Sequence, residues 1–171
     1  MVYLVGADDR TLVGSTWHHT KSGETTGALP QADLKTTKKT SEVIRELVEK
    51  ELLASVDVVG GGGLLVTLAK QCIQKNRANL GLSAELKEKS NQTLTQGLFG
   101  EALGVFVLSV DTQNETRMVE LLDDKKVGFC KLGTVGGSDL SIEVGSTRVV
   151  DVDLKVINSI WRNGFRKSLD L

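Results

Sequence analysis

Four consecutive glycines, Gly60-Gly61-Gly62-Gly63, constrain the fold more tightly than any other stretch of the chain. Before them, Ser55-Val56-Asp57-Val58-Val59 has the β-branched content of a short strand. After them, Leu64, Leu65, Leu68, Ala69 and Cys72 recur at helical spacing and carry a stripe to about Lys75. Strand, glycine turn and helix in that order present backbone N–H groups and the positive end of a helix to an anion. The run is neither a P-loop, which needs Gly-Lys-Ser/Thr, nor a Rossmann fingerprint. Two readings stand: phosphate contact through Gly60, Gly61, Gly62 and Gly63, or a tight turn with no ligand. Asp57, beside the turn, is a candidate ligand for magnesium or for a ligand hydroxyl. It serves equally as a turn cap on a solvent-facing edge.

The remaining elements are read from periodicity. Val2-Tyr3-Leu4-Val5, ended by Gly6, is a buried strand that starts almost at Met1, so the chain reads as a fragment of a longer protein. From Arg10 to Thr40 there is little periodicity and the only proline, Pro30, which predicts a long loop. Ser41 is placed to cap a helix carrying Val43, Ile44, Leu47, Val48 and Leu52. Leu80 and Leu82 suggest a strand, Leu94, Leu98 and Phe99 a helix, and Val105 to Val110 a buried strand. Val119, Leu121 and Leu122 mark a helix capped by Asp111 or Thr112. Phe129 to Leu132, Leu140 to Val144 and Arg148 to Val152 are strands, split by Gly136-Gly137-Ser138-Asp139 and by Gly145-Ser146. They predict two successive hairpins. Leu154, Ile157, Ile160, Trp161 and Phe165 close the chain as an amphipathic helix. The expectation is one α/β domain over 1–171, a mixed (α+β) sheet covered by helices.

Composition excludes several classes. At 171 residues the chain fits a single domain, and 21 basic against 22 acidic residues leave no excess for a nucleic-acid surface. Two cysteines without Cys-x-x-Cys argue against a disulfide framework and point to a reducing, cytoplasmic setting. The longest apolar run, Leu64 to Leu68, falls far short of the ~20 residues that span a bilayer. His18 and His19 have no third ligand at a telling spacing and read as solvated loop residues, as do Lys35, Lys38 and Lys39. Cys72 reads as core. Trp161 and Phe165 read as core, with docking onto a neighbouring domain as the other possibility. No Gly-x-Ser-x-Gly elbow, His-Glu-x-x-His helix or Cys/His pair is present, so no complete catalytic set is expected from this chain alone.

Three segments, in order, resemble one family. They are Val58-Val59-Gly60-Gly61-Gly62-Gly63-Leu64-Leu65-Val66-Thr67-Leu68-Ala69, then Leu98-Phe99-Gly100-Glu101-Ala102-Leu103-Gly104-Val105-Phe106-Val107, then Leu132-Gly133-Thr134-Val135-Gly136-Gly137 with Leu140-Ser141-Ile142. With Leu12-Val13-Gly14-Ser15, similar to a "Leu-Gly-Gly-Ser" turn, they resemble the C-terminal domain of the aminoimidazole-ribonucleotide-synthetase-related superfamily. The resemblance is closest to its phosphoribosylformylglycinamidine synthase branch. It implies part of an enzyme that uses ATP and glutamine-derived ammonia to amidate formylglycinamide ribonucleotide in purine biosynthesis, with magnesium balancing phosphate charge. It implies partners, namely an N-terminal synthetase domain and a glutamine amidotransferase domain or subunit, with a homo-oligomer also open. It adds Gly14 and Ser15 to the phosphate-binding candidates and makes this chain a wall of the cleft, not catalytic alone. The chain departs from the family's His-Asp-x-Ser before the glycines. Aligned without gaps, those positions fall on Asp57, Val58 and Gly60, and the acidic and hydroxyl groups are lost. With one inserted glycine Asp57 keeps the aspartate's place, but Val59 replaces the serine. Lys70 replaces a family glutamate and Val13 a glycine. The alternatives are a non-catalytic docking domain with a degenerate site, or the matching domain of a selenophosphate synthetase, thiamine-phosphate kinase or hydrogenase maturation protein.

Overall fold

The computed structural model describes residues 1–7, 9–24, 26–27, 32–73, 80–87 and 90–168. Its elements are β1 (Val2–Val5), α1 (Thr16–Ser22), α2 (Leu34–Glu49), β2 (Ser55–Val58), α3 (Gly63–Cys72), β3 (Leu82–Leu86), α4 (Leu94–Phe99), β4 (Phe106–Ser109), α5 (Thr112–Asp124), β5 (Phe129–Val135), β6 (Asp139–Val144), β7 (Thr147–Asp153) and α6 (Leu154–Ser168). The seven strands form one mixed sheet in the order β2-β4-β1-β5-β3-β6-β7. Only β3 and β6 run parallel; the other neighbours are antiparallel. None of the described helices is long and apolar enough to cross a membrane.

Strand β1 shows why both faces are covered. Its four residues are all buried, and a strand sends alternate side chains to opposite faces. Val2 and Leu4 join Leu64 and Leu68 of α3, Leu98 of α4, Val107 and Leu132 in one core. Tyr3 and Val5 join Val43, Ile44 and Leu47 of α2, Met118 and Leu122 of α5, and Leu108 in the other. The β3–β6–β7 half is different. Leu82, Ala84, Leu86, Leu140 and Ile142 face the first core, while exposed Ser83, Glu85 and Asp151 lie on the opposite, polar face. Arg148 links that face by pairing with Glu143 at 3.2 Å and Asp151 at 3.3 Å.

Several expectations need correction. The stretch from Arg10 to Thr40 is not one long loop: it holds α1 and the first turns of α2. Helix α2 begins at Leu34, where Asp33 accepts a hydrogen bond from the Thr36 N–H at 3.0 Å, and not after Ser41. Lys35, Lys38 and Lys39 therefore lie on a helix, and His18 and His19 lie on α1. Pro30 and the end of the predicted stripe at Lys75 lie outside the described residues. Leu80 precedes β3 and is exposed. Of the two predicted hairpins only β6–β7 forms; β3 inserts between β5 and β6. The insertion depends on Gly133, because a Cβ there would lie 1.9 Å from the Ser83 carbonyl oxygen of β3. Trp161 is 61% exposed and not core, while the Phe165 side chain lies outside the description.

Candidate functional site

Strands β1 and β2 run in the same direction, both antiparallel to β4, so the turns that follow them emerge at one end of the sheet. After β1 the chain reaches Leu12-Val13-Gly14-Ser15 and enters α1. After β2 it passes through Val59 and the glycine quartet into α3. Topology thus brings Gly14 and Ser15 beside Gly60 to Gly63: a Cβ on Gly61 would stand 3.2 Å from Thr16 Oγ1, one residue after Ser15.

Each turn has its own local cause. Ser15 is buried and caps α1, its Oγ accepting from the His18 N–H at 3.1 Å and donating to the Leu12 carbonyl at 2.7 Å. Gly14 adopts φ 69°, a left-handed turn that favours glycine. In the quartet the glycines differ in kind. Gly62 caps α3 at φ 86°, and a Cβ there would meet Val66 at 2.6 Å. Gly63, at φ 71°, lets α3 lie against α4, because a Cβ would meet the Phe99 carbonyl carbon at 2.4 Å. These two are demanded by the fold itself. Gly60 has open space, and Gly61 is exposed at the surface. Among the described residues neither the Gly60 nor the Gly61 N–H has an acceptor.

The centre of the site is a residue that the sequence reading passed over. Glu101 follows α4 and is fixed by a two-way backbone bridge to Thr11, with both N–H···O distances 2.9 Å. Its Oε1 accepts from the Gly62 N–H at 2.9 Å and from the Thr16 N–H at 2.7 Å. One carboxylate oxygen therefore ties both turns together, and among the described residues no cation pairs with it. Glu101 stands in the Leu-Phe-Gly-Glu segment that carries the family likeness. Its partners lie 39 and 85 positions away, so nothing local in the sequence signals its role.

Asp57 lies on β2, an edge strand of the sheet, and its carboxylate is engaged locally. Oδ1 accepts from the Val58 N–H at 2.9 Å and Oδ2 pairs with Lys70 Nζ at 3.1 Å. Lys70 thus neutralises the aspartate. No group of three or more His, Cys, Asp or Glu side chains that could hold a metal occurs among the described residues.

At the same end of the sheet a cleft of about 620 Å3 opens between α4 and the strands, floored by Leu4, Leu86 and Leu132 with Cys130 in its wall. Arg10 lines its edge, buried and donating to the Gly97 carbonyl. Cys72 is buried in the first core, where burial pushes its thiol up to about 11. His18 leaves its buried Nδ1 without a hydrogen-bond partner among the described atoms.

Comparison with known proteins gives a consistent picture. Residues 1–145 match the family described as AIR synthase related protein, C-terminal domain. The chain is 29% identical over 158 residues to the phosphoribosylformylglycinamidine synthase subunit PurL of Methanocaldococcus jannaschii, covering 91% of this chain and 21% of that protein. It is 33% identical over 142 residues to the PurL subunit of Thermobifida fusca, covering 83% of this chain and 18% of that protein. The chain thus spans about a fifth of the length of these relatives. Among solved structures, Thermotoga maritima PurL complexed with FGAR superposes with a TM-score of 0.74 at 15% identity, covering 92% of this chain and 27% of that one. The same T. maritima protein has been solved complexed with ATP, with a TM-score of 0.69, and a PurLQS structure from that organism matches at 0.67. At these identities the structural likeness establishes the fold: a mixed sheet with helical cover, as the sequence predicts.

Proposed function

The chain belongs to the AIR synthase related family as its C-terminal domain, and from that premise we propose that it forms part of a phosphoribosylformylglycinamidine synthase. In this reading the complete enzyme amidates formylglycinamide ribonucleotide with ATP and glutamine-derived ammonia, in the cytoplasm. This chain supplies one wall of the nucleotide and phosphate cleft and does not catalyse alone. Its partners are an N-terminal synthetase domain and a glutamine amidotransferase domain or subunit. The named PurL relatives and the T. maritima structures with FGAR, with ATP and as PurLQS support this reading.

The observation that carries the site is the pair of N–H groups on Gly60 and Gly61, without an acceptor among the described residues, beside the Gly14-Ser15 turn and at one end of the sheet. Backbone donors on glycine, with no side chain in the approach, suit a phosphate oxygen. Gly62 and Gly63 contribute by shaping the turn. The donor set does not suit magnesium: Asp57 is held by Lys70, and among the described residues no group of three or more metal-ligating side chains forms. No step is routed through Asp57.

A second reading, a docking domain with a degenerate site, is favoured by the Asp57–Lys70 pair and by Glu101, which already takes one donor from each of the two turns. A graft separates the two. The matching fifth of the M. jannaschii PurL subunit is replaced by residues 1–171, and the chimera is assayed with its glutaminase partner for amidine formation from formylglycinamide ribonucleotide, ATP and glutamine. Turnover above that of the subunit lacking the segment supports the synthase reading. A chimera that melts cooperatively yet neither turns over nor binds ATP leaves the docking reading standing.

A further inference from the structure

We propose that Glu101 is a latch on the glycine turn, a resident anion that competes with an incoming phosphate for the N–H groups of Gly62 and Thr16. The proposal rests on the reading of that turn as a phosphate contact and adds how access to it is controlled. Three observations carry it. First, one oxygen, Glu101 Oε1, accepts from both donors, at 2.9 and 2.7 Å, so neither is free for another anion while the side chain stays. Second, the backbone of Glu101 is pinned to Thr11 by two hydrogen bonds, so the carboxylate is delivered to this point by the fold and does not wander into it. Third, no lysine, arginine or histidine among the described residues pairs with Glu101, so its charge is balanced by backbone donors alone.

A phosphate drawn to the free N–H groups of Gly60 and Gly61 meets this carboxylate beside it. Two anions at such a distance repel unless one withdraws or is neutralised. The bound state therefore requires the Glu101 side chain to leave Gly62 and Thr16 while its backbone remains bridged to Thr11. The latch couples the two turns: with Glu101 in place they are cross-tied, and with phosphate in place the ligand does the tying.

The test uses the full chain, labelled with 13C and 15N and titrated with inorganic phosphate. The signals followed are the amides of Gly61, Gly62 and Thr16 and the Glu101 side-chain carboxyl carbon. Competition predicts that phosphate moves the Glu101 carboxyl signal together with the Gly62 and Thr16 amides. It also predicts that Glu101→Gln, which keeps an acceptor oxygen and removes the charge, binds phosphate about tenfold tighter. A Gly61 amide that responds to phosphate while the other three signals stay still overturns the latch, and that result requires no variant to fold. Glu101→Gln binding no tighter than the native chain overturns it as well. Gly61→Val separates the latch from the reading beneath it. If Gly61→Val abolishes phosphate binding and Glu101→Gln leaves it unaltered, the turn keeps its phosphate and only the latch falls. If binding survives Gly61→Val unchanged, or if neither the native nor the Glu101→Gln chain binds, the phosphate reading of the turn falls too.

Discussion

At Gly63 an added methyl group would stand 2.4 Å from the Phe99 carbonyl carbon, on a backbone at φ 71° that side chains rarely adopt. Gly63→Ala should therefore cost about 3 kcal/mol by urea denaturation, the sum of left-handed strain and overpacking. Gly60→Ala, with only Val58 Cγ1 at 4.0 Å, should stay within about 0.5 kcal/mol of the native chain. Equal losses at both positions would contradict this division of the quartet. Tyr3 offers a pH test. Burial, with the Glu115 carboxylate accepting its phenol hydrogen, raises its pKa to about 12. A raised folded-state value means that the neutral phenol is favoured by folding. Its contribution is complete below the ordinary value near 10 and is lost as the pH climbs towards 12. Melting temperature should fall over that window, and Tyr3→Phe should flatten the fall. The cysteines give a third contrast. Cys72 is 4% exposed with its thiol raised to about 11, whereas Cys130 is half-buried in the cleft wall. A disulfide reagent should label Cys130 in the native chain and Cys72 only after denaturation. Simultaneous labelling of both would show that the core around Cys72 is open.

Among the elements, the strand, glycine turn and helix from Ser55 to Cys72 were legible because apolar periodicity changes from strand to helix across the glycines. The first turns of α2 were not. Thr36, Thr37 and Thr40 occupy the positions where Leu or Val would have announced a stripe, and Thr40 is buried without being apolar. The predicted hairpin of β5 with β6 failed for a topological reason. Turn residues at Gly136 to Asp139 report that the chain reverses, but not that β3, some fifty positions upstream, fills the gap between the two arms. Gly133 is the clue visible in hindsight, since two strands approach there more closely than a side chain allows. Gly133→Val should part β3 from β5. Hydrogen exchange at the amides of residues 82–86 should then quicken selectively, while an unchanged pattern would remove Gly133 from that role.

Across the whole molecule the fold class, the apolar helix faces and the gathering of Gly14, Ser15 and the quartet were all foreseeable, because each follows from local pattern or family likeness. The carboxylate that joins them was not, since its partners are distant in sequence. The two halves of the sheet differ in cover: β1 and β4 lie between two cores, while β6 and β7 bury one face. Native-state hydrogen exchange should find the slowest amides in β1 and β4 and an earlier opening of β7 with α6. Uniform protection would mean that the sheet opens as one unit. The place of β1 also imposes an order in time. Val2 pairs with Ser109 on one side and Gly133 on the other, so a ribosome finishes this inner strand about a hundred residues before either neighbour exists. At roughly 5–20 residues per second that interval is on the order of 5–20 s, during which an apolar strand waits unpaired. Nascent chains of this protein should therefore lean on a chaperone early, and the sheet should close late, around a segment that was made first.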